Sequence, residues 1–139
     1  MKKQIYINIA VSDLEKSTKF YEVLGLEKQE NFSNSEGAGM KWSDEIYFML
    51  LTNNFIKNFI EDKEVVDSNK YTEAIFAMQC NSAEEVDEII KKVIGVGARI
   101  YKNKYNEQHK FMYTASVVDP DGHILELFYM DMSKFTPVN

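Results

Sequence analysis

The sequence is poor in the residues that build disulfides, thiolate metal clusters and phosphate-binding surfaces. Its single cysteine, Cys80, excludes an intramolecular disulfide and any zinc cluster made from cysteines of one chain. A reducing, cytoplasmic setting is the corresponding expectation. Arg99 is the only arginine, and 16 basic residues face 22 acidic ones for a net charge of −6. Nucleic acids are gripped by clustered cations and forked guanidinium groups, so this balance speaks against a nucleic-acid partner. No apolar stretch approaches the ~20 residues of a membrane helix, and no membrane partner is expected. The N-terminal run starts like a signal sequence, but Asn8 interrupts it and Ser12-Asp13 follows at once; it reads as a strand.

What the sequence does have is apolar material and a repeat. Hydrophobic residues make up 45% and aromatic residues 13% of 139 positions, enough for one ordinary domain or two half-domains. Ile5, Ile7 and Ile9 alternate with Tyr6, Asn8 and Ala10, the period of a strand. Ser12 and Glu15 then form a capping-box signature, and Leu14, Phe20, Tyr21 and Leu24 follow at helical spacing up to Gly25. Strands are predicted at 26–32, 38–42 and 46–52. Residues 53–70 are polar with apolar Phe55, Ile56, Phe59 and Ile60, which predicts a short amphipathic helix and a linker. The pattern then recurs: a strand at 73–80, a second capping box at Ser82 and Glu85, and a helix through Val86, Ile89, Ile90 and Val93 that ends at Gly95 and Gly97. Strands follow at 98–102, 111–118 and 123–130, with a loop at 103–108 and a turn at Asp119-Pro120-Asp121-Gly122. Both halves therefore read β-α-β-β-β. The expected boundaries are a first module at 4–53, a connector at 54–71, a second module at 72–131 and a short C-terminal tail.

Two strings carry a family resemblance. One is Ala10-Val11-Ser12-Asp13-Leu14-Glu15-Lys16-Ser17 leading to Phe20-Tyr21 and Leu24-Gly25-Leu26. The other is Val118-Asp119-Pro120-Asp121-Gly122-His123-Ile124-Leu125-Glu126-Leu127. Together they resemble the vicinal oxygen chelate superfamily of glyoxalase I, bleomycin-resistance proteins, fosfomycin-resistance enzymes and extradiol dioxygenases. Met40-Lys41-Trp42-Ser43, 46–51 and the ending 127–133 resemble its small bacterial members labelled predicted lactoylglutathione lyases. The resemblance implies an α+β fold in which two paired βαβββ modules curl their sheets into a cup or open barrel with helices outside. It also implies a small-molecule ligand in that cup, a homodimer, and a divalent metal such as Ni, Zn or Mg.

By the same resemblance the metal-ligand positions fall on Tyr6, Met49, Ile75 and Glu126, of which only Glu126 is a strong ligand type. Methionine is a soft donor, isoleucine has none, and tyrosine ionises only near pH ~10. The site is thus degenerate by donor chemistry, with Asn8, Glu73 or Gln79 as same-face substitutes. Strand parity puts Ile124, Glu126 and Phe128 on one face and Leu125, Leu127 and Tyr129 on the other. The expected ligand-binding residues are Tyr6, Asn8, Tyr47, Met49, Ile75, Tyr113 and Phe128, with Met130 beside them and Glu126 as the catalytic acid–base. His123 reads as a turn-adjacent imidazole, His109 as a loop residue able to touch a ligand, and Cys80 as a buried hydrophobe. Two functions follow, beside a third reading as a regulatory or structural dimer whose cup is filled by side chains. One is a glyoxalase-like lyase acting on a hemithioacetal through Glu126 and a metal. The alternative is a metal-free, drug-sequestering protein like the bleomycin-resistance members. Ring-cleaving dioxygenase chemistry lacks its two histidines on matching positions.

Overall fold

The computed structural model describes residues 1–101 and 111–135. The loop expected at 103–108, with His109, lies outside the described residues. The chain divides into two compact units, Met1–Tyr71 and Thr72–Asn139.

In the first unit, strand β1 (Ile5–Val11) leads into helix α1 (Leu14–Leu24). Strands β2 (Glu27–Gln29), β3 (Gly37–Lys41) and β4 (Ile46–Thr52) follow, and then the short helix α2 (Asn53–Ile56). The sheet order is β1-β4-β3-β2, with β1 and β4 parallel and the other pairs antiparallel. The second unit repeats this with β5 (Ile75–Gln79), α3 (Ala83–Gly95), β6 (Arg99–Tyr101), β7 (Met112–Val118) and β8 (Ile124–Met130). Its order, β5-β8-β7-β6, has the same parallel and antiparallel pairs. The α+β class and the doubled β-α-β-β-β order are therefore those the sequence predicts. The first helix of each unit packs on its own sheet, α1 against β3 and β4, α3 against β7 and β8.

Local chemistry explains the element ends, with some shifts from expectation. The cap of α1 is Asp13, whose Oδ1 accepts from Lys16 N at 3.0 Å, and not Ser12. A carboxylate one residue nearer the first turn meets the free amides and the positive end of the helix dipole together. At α3 the expected Ser82 is the cap, accepting from Glu85 N at 3.0 Å, while Glu85 reaches back to Asn81 N at 2.5 Å. Gly25 takes φ +116° and its amide and that of Leu26 bond the carbonyls of Glu22 and Tyr21, closing α1. The strand predicted at 26–32 is cut short: after Gln29 the backbone tightens into a 3-10 turn over Glu30–Phe32.

Each unit has its own core. Phe20, Tyr21 and Leu24 of α1 lie buried with Met40, Phe48 and Leu50 of the sheet, and Val86 and Val93 of α3 with Val117, Leu125 and Leu127. Each such side chain contributes about 1.5–3 kcal/mol by leaving water. The Tyr21 ring stacks on Phe48 at 5.9 Å, which fixes the helix-facing side of the first sheet.

Candidate functional site

That stack sets the strand parity of the first unit. Phe48 faces α1, so its partner Ile7 and the residues Ile5, Ile9 and Val11 share the helix side. Tyr6, Asn8 and Ala10 of β1, with Tyr47, Met49 and Leu51 of β4, occupy the opposite, helix-free face. The Tyr6 and Tyr47 rings stack there at 4.8 Å. β3 adds Gly37, Gly39 and Lys41 to the same face. A Cβ at Gly39 would lie 2.9 Å from Phe32 Cβ and 3.4 Å from Met49 Sδ, so glycine is what lets Phe32 and Met49 approach. Lys41 pairs with Asp44 at 2.8 Å. This hydrogen-bonded partner raises the ammonium's affinity for its proton and lowers that of the carboxylate. The Tyr6 hydroxyl donates to Gln4 Oε1 at 3.0 Å, and Asn8 Nδ2 to the Tyr6 carbonyl at 3.4 Å.

In the second unit a hydrogen bond sets the parity. Tyr113 donates its phenol O–H to Asp87 Oδ1 of α3 at 2.5 Å, so Tyr113 and its ladder partner Tyr129 lie on the helix side. This corrects the expectation for Tyr113, which is no part of the face that carries Glu126. The bond, and to a lesser degree burial, raises the phenol's pKa, because ionisation would lose a donor and place an anion beside Asp87. Leu125 and Leu127 are fully buried on that side. The helix-free face then carries Ile75, Ala77 and Gln79 of β5, Ile124, Glu126, Phe128 and Met130 of β8, and Thr114 and Ser116 of β7.

Glu126 is partly buried. Its ladder neighbours are Ala77 and Ser116, and Tyr101 lies beyond Ser116 in the same row. The turn before β8 holds this placement: Asp119 is 4% exposed and its Oδ1 accepts from Asp121 N and His123 N, each at 2.9 Å. Gly122 at φ +96° completes the turn, and Asp119 N bonds the His123 carbonyl at 3.0 Å. The Asp119 carboxylate thus serves the turn.

A metal needs three or four N, O or S donors around one point. Within its sheet Glu126 is flanked by alanine and serine, and Ile75, 55% exposed at the start of β5, offers no donor. Among the described residues no group of three His, Cys, Asp or Glu side chains is placed to hold an ion. The described residues do not fit the metal that the resemblance implies. Cys80 is buried, and burial pushes its thiol pKa up, which suits a packing residue and not a nucleophile. An open cleft of about 560 Å³ between α1, Lys28 and Asn34 lies on the helix side of the first sheet, apart from every residue expected in a site, and mixes Glu15 and Glu22 with Lys19 and Lys28. No described helix is long and apolar enough to cross a membrane.

Thr114 and Ser116 share the face of Glu126 and were not among the residues expected there. Their signal was available: polar Thr114 and Ser116 alternate with apolar Ala115 and Val117, and pairing of β7 with β8 sets the phase.

The fold is one of duplicated β-α-β-β-β units, with the Glu126 carboxylate on the face of the second sheet opposite α3. The family model for the Glyoxalase/Bleomycin resistance protein/Dioxygenase superfamily matches residues 3–127, and the chain belongs to that superfamily. Solved structures agree on the fold. A hypothetical protein from S. aureus is 24% identical, with a TM-score of 0.75 over 93% of this chain and 94% of that one. A glyoxalase/bleomycin resistance protein/dioxygenase family enzyme from Burkholderia phytofirmans is 18% identical, with a TM-score of 0.72 over 93% and 99%. A glyoxalase-related enzyme from Fulvimarina pelagi is 19% identical, with a TM-score of 0.71 over 93% and 88%. No curated protein matches the chain.

Proposed function

We propose that this chain binds a small organic molecule without a metal, with Glu126 as the polar anchor on the helix-free face of the second unit. The observation that carries this reading is the company Glu126 keeps. On that face Glu126 keeps company with Ala77, Ile124, Phe128 and Met130, with Thr114 and Ser116 beside it and Tyr101 and Arg99 on the outer strand. An apolar surface with a few placed polar groups is the usual composition of a ligand site. The stacked Tyr6 and Tyr47 give the first unit a helix-free face suited to aromatic ligands.

The lyase reading uses the same carboxylate. There Glu126 would remove and return a proton α to a carbonyl, and a metal would stabilise the resulting anion. The donor set favours the binder over the lyase, since among the described residues no group of three His, Cys, Asp or Glu side chains is placed to hold the metal. A homodimer and a cytoplasmic location, implied by resemblance and by cysteine content, belong to the proposal as well.

The test is a thermal-shift screen of tag-free protein in EDTA against aromatic amines, aromatic antibiotics and thiol adducts, repeated on Glu126→Gln. Metal-independent stabilisation that the variant loses supports the binder. A tight Ni²⁺ or Zn²⁺ site, together with hemithioacetal isomerisation that falls by ~10²-fold or more in Glu126→Gln, would replace it with the lyase.

A further inference from the structure

Two buried hydroxyls on β7, Thr114 Oγ1 and Ser116 Oγ, have no hydrogen-bond partner among the described residues. Ser116 as a whole is 2% exposed. A hydroxyl shut away from water without a partner destabilises the fold, and an apolar side chain of the same shape would serve the packing better. Alanine at 116 and valine at 114 would be such replacements.

Their position shows what they can serve. Ser116 sits directly opposite Glu126 in the β7–β8 ladder, and Thr114 directly opposite Phe128. Opposed side chains in an antiparallel pair have Cβ atoms about 4.5–5.5 Å apart. The carboxylate, two hydroxyls and one aromatic ring therefore share a patch on one face of one sheet. We propose that Ser116 and Thr114 form, with Glu126, a subsite for the ammonium group of an arylalkylamine, whose ring lies against Phe128. This rests on the reading that the Glu126 face is a ligand site, and adds the class of ligand.

The charge and donor pattern select that class. An ammonium brings donors and no acceptor, while a carboxylate and hydroxyl oxygens all accept. A carboxylate or phosphate ligand would meet Glu126 with like charge, and Arg99, the arginine of this face, stands on the outer strand beyond Val118, in the row of Ile124 and not of Glu126. A neutral alcohol would satisfy a hydroxyl but forgo the charge-assisted bond. A structural water is the competing occupant, and it predicts no dependence of amine binding on either hydroxyl.

The experiment uses the full chain in EDTA and three probes that share one ring: 2-phenylethylamine, 2-phenylethanol and 3-phenylpropanoate. Calorimetric affinities are measured for wild type, Ser116→Ala, Thr114→Val and Glu126→Gln. The expected result is preference for the amine and a loss of ~10-fold or more in each hydroxyl variant, the range for bonds to a charged group. The unliganded Tm of Ser116→Ala and Thr114→Val should stay level or rise, which separates lost binding from lost folding. Unchanged amine affinity in both hydroxyl variants would overturn the subsite. So would Glu126-dependent binding of the alcohol or the acid in preference to the amine, although the Glu126 site itself would then stand. Silence of all three probes on the wild type would remove both.

Discussion

Tyr6 and Tyr47 face each other across the parallel β1–β4 ladder, their rings 4.8 Å apart and 11° from parallel. The pair forms a flat, partly exposed aromatic surface on the helix-free side of the first unit, with Tyr6 44% exposed. Stacked rings contribute about 0.5–1.5 kcal/mol beyond their buried area. Tyr47→Leu should lower the unfolding free energy by about 1 kcal/mol in a urea titration. No loss would mean the rings are not coupled.

The Tyr113–Asp87 bond ties β7 to α3, and its effect on stability has a defined pH dependence. The folded chain holds the Tyr113 proton more tightly than the unfolded chain, chiefly because Asp87 accepts it. The contribution is complete below the ordinary phenol pKa of about 10 and is lost as pH rises through the raised folded value. Tyr113→Phe should remove this part of the alkaline decline, at a cost of no more than about 1 kcal/mol at neutral pH because the site is exposed. It should leave ligand binding at Glu126 unchanged, since Tyr113 lies on the other side of the sheet. Altered binding in this variant would contradict the parity assigned to β7. Denaturant titrations at several pH values and one binding isotherm check all three points.

Asp119 holds the turn that launches β8, accepting from two backbone amides while almost fully buried. Hydrogen bonds to a charged group contribute about 1.5–3 kcal/mol each, and stranded buried amides add to the loss. Asp119→Ala should therefore lower the unfolding free energy by about 2–4 kcal/mol. Asp119→Asn, which keeps an acceptor, should recover part of it. Equal loss in both variants would show that charge alone matters.

Most of the fold was legible because its signals are local. Strand alternation in β1 and β4, the Ser82 cap and the Asp-Pro-Asp-Gly turn are each set by neighbours in sequence, and the doubled order followed from them. Features decided by competition between nearby groups were less legible. Ser12 and Asp13 both fit a helix cap, and only backbone geometry chooses Asp13. The facing of side chains was legible where a strand has one strongly apolar side, as at Glu126 between the buried Leu125 and Leu127. It failed at Tyr113, where a hydroxyl on an aromatic ring looked like ligand chemistry. That hydroxyl instead reaches Asp87, 26 residues away in sequence. The facing of Ser116 and Thr114 could be read from their alternation with Ala115 and Val117, but not their lack of partners among the described residues, which is a property of the folded surroundings.

Chemical-shift mapping of the metal-free chain with 2-phenylethylamine reports which face of which sheet the ligand meets. Binding at the Glu126 face should concentrate the shifts at Ala77, Thr114, Ser116, Glu126 and Phe128, saturable in EDTA and abolished in Glu126→Gln. Shifts confined to the α3 side, or any that require added Ni²⁺ or Zn²⁺, would contradict it.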